Sequence, residues 1–133
     1  MQLKTITDYA IRALLYLSTE NGYVPLHEIA DHTCISNASL LKSLRKLRDA
    51  GWVDSIGGSE GGYRFIGRAG DISLLDVMRV TEDTIRFNRC LEPDGFCSRN
   101  ATEYCALHKI YEAYQEQTEK YFSSIHLSDL DAE

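Results

Sequence analysis

No apolar run in this chain approaches the roughly 20 residues that a membrane-spanning helix needs, so no helical span is expected. A secretory signal is missing too. The first residues, MQLKTITDYAIRALLYLS, spread their charges through a helical periodicity instead of separating a basic start from an apolar centre. The expected location is therefore cytoplasmic, where thiols are kept reduced. There is no internal repeat or low-complexity tract, and no paired nucleophile and base or general acid emerges, so an enzyme is not expected. Positive charge is also scarce: 14 Lys/Arg face 20 Asp/Glu, a formal net charge of -6. That balance speaks against a generic nucleic-acid binder, which needs a broadly basic surface.

The deficit is uneven. Residues 1–68 hold eight Lys/Arg and seven Asp/Glu, whereas residues 69–133 hold six and thirteen. Residues 38–68 alone carry six basic and three acidic side chains. A basic reading surface on an acidic body suits a specific DNA binder with weak non-specific affinity, because phosphate attraction is local and screened by salt.

The basic segment lies in the stretch that organises the chain, LHEIADHTCISNASLLKSLRKLRDAGWVDSIGGSEGGYRF, residues 26–65. Leu26, Ile29 and Ala30 recur at helical spacing, and a break follows at residues 33–35. Ser36 stands where an N-cap belongs. Leu40, Leu44 and Leu47, with Leu41 beside them, form one apolar stripe, and Gly51 ends the helix as a left-handed residue. Asn37, Ser39, Lys42, Ser43 and Lys46 are expected on the opposite, polar face. Two helices joined by a tight turn, the second partly basic, form the shape that lays a recognition helix in a DNA major groove. Trp52, Val53 and Ile56, then a glycine-rich loop, then Tyr63, Phe65 and Ile66 read as a β-hairpin. The predicted fold is mainly α with a small β-hairpin wing: a winged helix-turn-helix followed by a long C-terminal dimerisation helix.

Around this centre, Thr7 is expected to cap a first helix with Asp8 in its first turn, and residues 24–26 to form a brief strand. Ser73 should cap a short helix through Leu74, Val77, Met78 and Val80. Residues 84–103 lose periodicity and read as a long exposed loop, a length that is usually functional or disordered. From 101 to 124 the helical period returns. Leu107, Ile110, Tyr111, Tyr114, Thr118, Tyr121 and Phe122 form a stripe about 36 Å long at 1.5 Å per residue. Glu112, Glu116 and Glu119 lie opposite. A stripe this long outgrows its own domain and is assigned to a homodimer, the arrangement in which such proteins read two half-sites. The expected divisions are a winged-helix domain (1–83), a cysteine-bearing loop (84–105), the dimerisation helix (101–124) and a tail (125–133).

The four cysteines are unequal. Cys34 sits in the turn between the central helices and is expected to be a small buried apolar residue. Cys90, Cys97 and Cys105 cluster as C-x6-C-x7-C on the long loop, with His108 three residues after the last. Clustered thiols in a reducing compartment suggest a metal group rather than disulfides. Structural zinc prefers closer pairs, whereas thiolates spread along a loop can wrap an iron–sulfur cluster. Spacing leaves the cluster, zinc and unmetallated redox thiols all open.

End to end, the chain resembles the Rrf-two family of winged-helix regulators, which has IscR-like, NsrR-like and RirA-like members. The resemblance rests on TDYAIRALLYLS, the LHEIA…IS…L..LR.AGWV helix-turn-helix, GGYRF in the wing, ISLLDVMR, the three-cysteine loop and SSIHLSDL. It implies a homodimeric transcription regulator, expected to act as a repressor on a double-stranded DNA operator. Its DNA binding would respond to a [2Fe-2S] or [4Fe-4S] cluster held by Cys90, Cys97 and Cys105, sensing redox, nitric oxide or iron status. For the fourth ligand, IscR-like members use a histidine that fits His108, and NsrR-like members an aspartate that fits the partner's Asp8. The stretch TDYAIR looks like the NsrR type at that residue, which favours Asp8. The wing departs from the family: Gly57 stands where many members carry an arginine, and Glu60 sits in the loop. DNA contact would then lean on Ser36, Asn37, Ser39, Lys42 and Lys46, with Arg64 reaching phosphate. The alternative is a protein-interaction module, or a zinc- or thiol-based regulator without a cluster.

Overall fold

The computed structural model describes residues 2–130; the last three residues of the expected tail, 131–133, lie outside the described residues. Helix α1, Thr5–Ser18, buries Ala10, Ala13, Leu14 and Leu17. It begins at Thr5, not behind a Thr7 cap. Thr7 is instead wholly buried, its Oγ1 2.7 Å from the Thr81 hydroxyl and also bonded to the Glu82 carboxylate. A hydroxyl that ties two helices together is not available to cap one.

Helix α2, Leu26–Thr33, ends at Cys34, which adopts a left-handed backbone with φ 58°. That conformation turns the chain sharply toward α3, and it leaves Cys34 exposed, not buried as its apolar character predicted. Helix α3, Asn37–Asp49, is capped as expected: the Ser36 side chain accepts from the Ser39 N–H at 3.3 Å. Gly51 takes φ +82° just beyond its end, a conformation glycine adopts without a Cβ clash. Leu40, Leu44 and Leu47 are fully buried against α1, while Leu41 is 44% exposed. Ser43 departs from its expected outward position. It is buried, and its hydroxyl donates to the Ile6 carbonyl of α1 at 3.0 Å.

Strands β1, Val53–Ile56, and β2, Gly62–Phe65, pair antiparallel from Val53–Phe65 to Ile56–Gly62. Val24 bridges to Tyr63 on the far side of β2, so the brief strand expected there is a single paired residue. Gly62 permits this close approach, since a Cβ at that position would lie 2.2 Å from the Val24 carbonyl oxygen. Helix α4, Leu74–Thr81, opens with a reciprocal capping box between Ser73 and Asp76.

Residues 84–105 contain one 3-10 turn, Arg89–Leu91, among the described loops. Helix α5 runs Ala106–Ser123, starting five residues later than its periodicity suggested. Residues 101–105 form turns after the left-handed Asn100, and Cys105 is the N-cap. At 1.5 Å per residue the helix is about 27 Å long. The chain then returns to the start of α4, where Leu127 pairs with the Ile72 backbone and is buried.

Candidate functional site

Three surfaces carry the residues singled out in the sequence. The first is the outer side of α3. Ser36, Asn37, Lys42 and Lys46 are exposed and Ser39 is half-buried. Arg45, which the sequence reading passed over, is also exposed. It lies three residues after Lys42, so helical spacing puts it on the same face, and that spacing would have found it. In the wing, the Arg64 guanidinium is 3.9 Å from Asp54 and sits over the Tyr23 ring at 4.8 Å. Tyr23 donates to Asp54 at 2.6 Å, which lowers the pKa of that carboxyl. Arg64 is thus held along the wing.

The second surface is the loop cavity at the start of α5. Cys90, Cys97, Cys105 and His108 line one cavity of about 250 Å³ with Arg89, Phe96, Arg99 and Tyr111. His108 Nδ1 stands 3.0 Å from Cys90 Sγ. The Cys105 sulfur accepts from the His108 N–H and from Arg99, each at 3.5 Å. Backbone N–H groups of Ala101 and Arg99 hold the Cys97 thiol below its ordinary pKa. Cys105 is likewise lowered, first by the backbone N–H of His108. Hydrogen bonds to sulfur favour the thiolate, the form that ligates iron and attacks oxidants.

The loop is tied down from several sides. Arg89 pairs with both oxygens of Asp94 at 2.6 and 2.7 Å and lies over the Phe96 ring. Gln115, the one buried residue of α5, accepts from the Phe87 N–H and donates to the Ile85 carbonyl. Glu119 was expected on the outer face, yet its side chain is only 21% exposed. It meets both Arg79 of α4 and Arg86 of the loop, so this face of α5 packs inward. Asp8 is not in the cysteine cavity of its own chain. It is exposed, paired with Arg12 at 2.8 Å, and lines a separate cavity with Tyr16, His32, Thr33 and the exposed Cys34.

The third surface is the apolar side of α5. Leu107, Ile110, Tyr114 and Tyr121 are 51, 63, 43 and 62% exposed, and Tyr111 packs edge-on against Phe87. Their spacing aligns them along one stripe, on which Phe87 also packs against Tyr114 with ring centroids 4.7 Å apart.

A helix-turn-helix with an exposed polar face, a following wing and a long helix with an exposed apolar stripe define a winged-helix regulator of transcription. Residues 3–133 match the Rrf2 family, described as iron-dependent transcriptional regulators, and the chain belongs to that family. Among its relatives is the regulator IscR of Klebsiella pneumoniae, 30% identical over 98% of this chain and 79% of that protein. The regulator NsrR of Bacillus licheniformis is 38% identical, over 68% of this chain and 64% of that protein. Among solved structures, IscR of T. potens superimposes with a TM-score of 0.74 at 26% identity, covering 97% of this chain and 85% of that one. CymR of B. subtilis, the global cysteine regulator, gives 0.70 at 26% identity over 97% and 95%. These relatives are transcription regulators and not enzymes, and among the described residues no helix is long and apolar enough to cross a membrane.

Proposed function

We propose that this chain is a homodimeric, operator-binding regulator whose DNA affinity is set by an iron–sulfur cluster on Cys90, Cys97 and Cys105, with His108 of the same chain as fourth ligand. The observation that carries the reading is the shared cavity, in which three thiols and one imidazole face the same space. The donor set fits such a group. Thiolates carried on one loop, with an imidazole beside them, are donors of the kind that hold iron–sulfur clusters. The partner's Asp8 is the rival fourth ligand; within one chain Asp8 is paired with Arg12 at 2.8 Å.

When bound, the cluster supplies chemistry responsive to redox state, nitric oxide or iron. The chain's own residues do the rest. Cys90 follows α4, Cys97 lies in mid-loop and Cys105 caps α5, so holding all three fastens the loop to the first turn of the dimerisation helix. The stripe Leu107–Ile110–Tyr111–Tyr114–Tyr121 meets its copy, and the geometry of that contact sets the distance between the two α3 helices. Releasing the loop changes that spacing. Ser36, Asn37 and Ser39 read base edges, Lys42 and Lys46 contact phosphate, and Arg64 approaches the backbone once freed from Asp54.

The test is anaerobic purification followed by an absorption spectrum, iron and sulfide analysis, and a gel shift on the protein's own upstream DNA. Alanine at Cys90, Cys97 or Cys105 should each abolish the coloured, sulfide-containing form, and Cys34→Ser should keep it. A colourless protein that binds DNA in a thiol-dependent manner would instead favour regulation by the thiols alone. The lowered pKa values of Cys97 and Cys105 and the likeness to CymR support that second reading.

A further inference from the structure

The His108 ring is held from both sides. Its side chain is only 14% exposed, with Nδ1 3.0 Å from Cys90 Sγ and Nε2 3.3 Å from the Glu112 carboxylate one helical turn further on. We infer that Glu112 is a positioning residue for the cysteine cavity: it holds His108 so that Nδ1, and not Nε2, presents its lone pair to the three thiols. This rests on the reading that the cavity holds a cluster with His108 as a ligand.

We assign the proton to Nε2, the ring atom 3.3 Å from the Glu112 carboxylate, because a carboxylate oxygen can only accept. With the proton there, Nδ1 keeps its lone pair, which the Cys90 S–H can meet and which could ligate iron. Carboxylates fix ligating histidines in this way at many metal sites, setting tautomer and ring angle and raising ligand basicity. The backbone is anchored to the same cavity, since the His108 N–H donates to the Cys105 sulfur. Helix stability alone explains the pair poorly. An acidic residue four positions after a basic one is the less favourable order along a helix, and the Glu112 side chain is 59% exposed.

The experiment compares the full-length parent with Glu112→Ala, Glu112→Gln, His108→Ala and the Glu112→Ala/His108→Ala double variant. Each is reconstituted anaerobically with iron and sulfide and then exposed to air. Glu112→Ala should lose its cluster about tenfold faster than the parent. Glu112→Gln should recover most of the lifetime, because its amide oxygen can still accept from Nε2. Adding Glu112→Ala to His108→Ala should change nothing further, the mark of a residue acting through its partner. Thermal midpoints of the cluster-free forms should agree, which removes a general folding effect. Nitrogen NMR of the cluster-free parent, at a pH where the ring is neutral, should show a protonated Nε2 on His108, and Glu112→Ala should shift it toward an average of the two tautomers. If the parent holds a cluster and Glu112→Ala has the same lifetime, or the two substitutions add, the inference is overturned. If the parent holds none, the proposed function fails, and an unshifted His108 nitrogen signal in Glu112→Ala would overturn this assignment separately.

Discussion

Gln115 accepts a hydrogen bond of 2.7 Å from the backbone N–H of Phe87, and the same amide donates to the Ile85 carbonyl at 3.0 Å. One side chain of α5 thus satisfies the backbone that leads into Cys90, as a strand would. Gln115→Leu keeps the volume but leaves two peptide groups unpaired, at a cost of roughly 1–3 kcal/mol. The expected result is a lower denaturant midpoint and faster proteolysis between residues 84 and 105. Wild-type protection of that segment would remove the loop-anchoring role.

A second copy is the proposed cover for the exposed stripe on α5. Replacing Ile110 and Tyr114 together by Glu places charges in the centre of that contact. The variant should elute as a monomer while keeping its helical circular dichroism. A dimer of unchanged size would move the interface elsewhere.

For DNA, Lys42→Ala should weaken binding to all sequences and reduce the slope of log affinity against log salt by about one. Arg45→Ala should do the same, since it shares the face. Ser39→Ala should instead relax discrimination between operator and unrelated DNA. Parent-like affinity and salt dependence in all three would put the reading surface off α3.

Asp94 offers a pH test of loop order. Its carboxyl is lowered from 3.8 to about 2, chiefly by the hydrogen bonds from Arg89. A folded-state pKa below the ordinary value means that the pair's contribution is present above 3.8 and is lost as pH falls through about 2. An NMR titration should find the Asp94 midpoint in that low range, and Arg89→Ala should return it toward 3.8. A midpoint near 3.8 in the parent would mean that the clamp does not persist in solution.

Much of this molecule is decided locally and can be read along the chain. The Ser36 and Ser73 caps, the left-handed Gly51, the Leu40–Leu44–Leu47 stripe and the glycine-rich reversal of the wing follow from spacing and from each residue's own conformational limits. The C-x6-C-x7-C pattern marked the loop in the same way. Tertiary structure decided what depends on a partner far along the chain. From local pattern Thr7 looks like a helix cap and Ser43 like a surface hydroxyl, yet each is buried because a group on another helix completes its hydrogen bond. Cys34 looks apolar, yet the left-handed turn exposes it. Glu119 looks like an outer-face residue, yet α5 turns it and Gln115 inward, toward two arginines and the loop backbone. The gathering of Cys90, Cys97, Cys105 and His108 around one cavity belongs to this second kind. Periodicity records which face a residue takes on its own element, whereas the space between elements exists only once the chain has closed on itself.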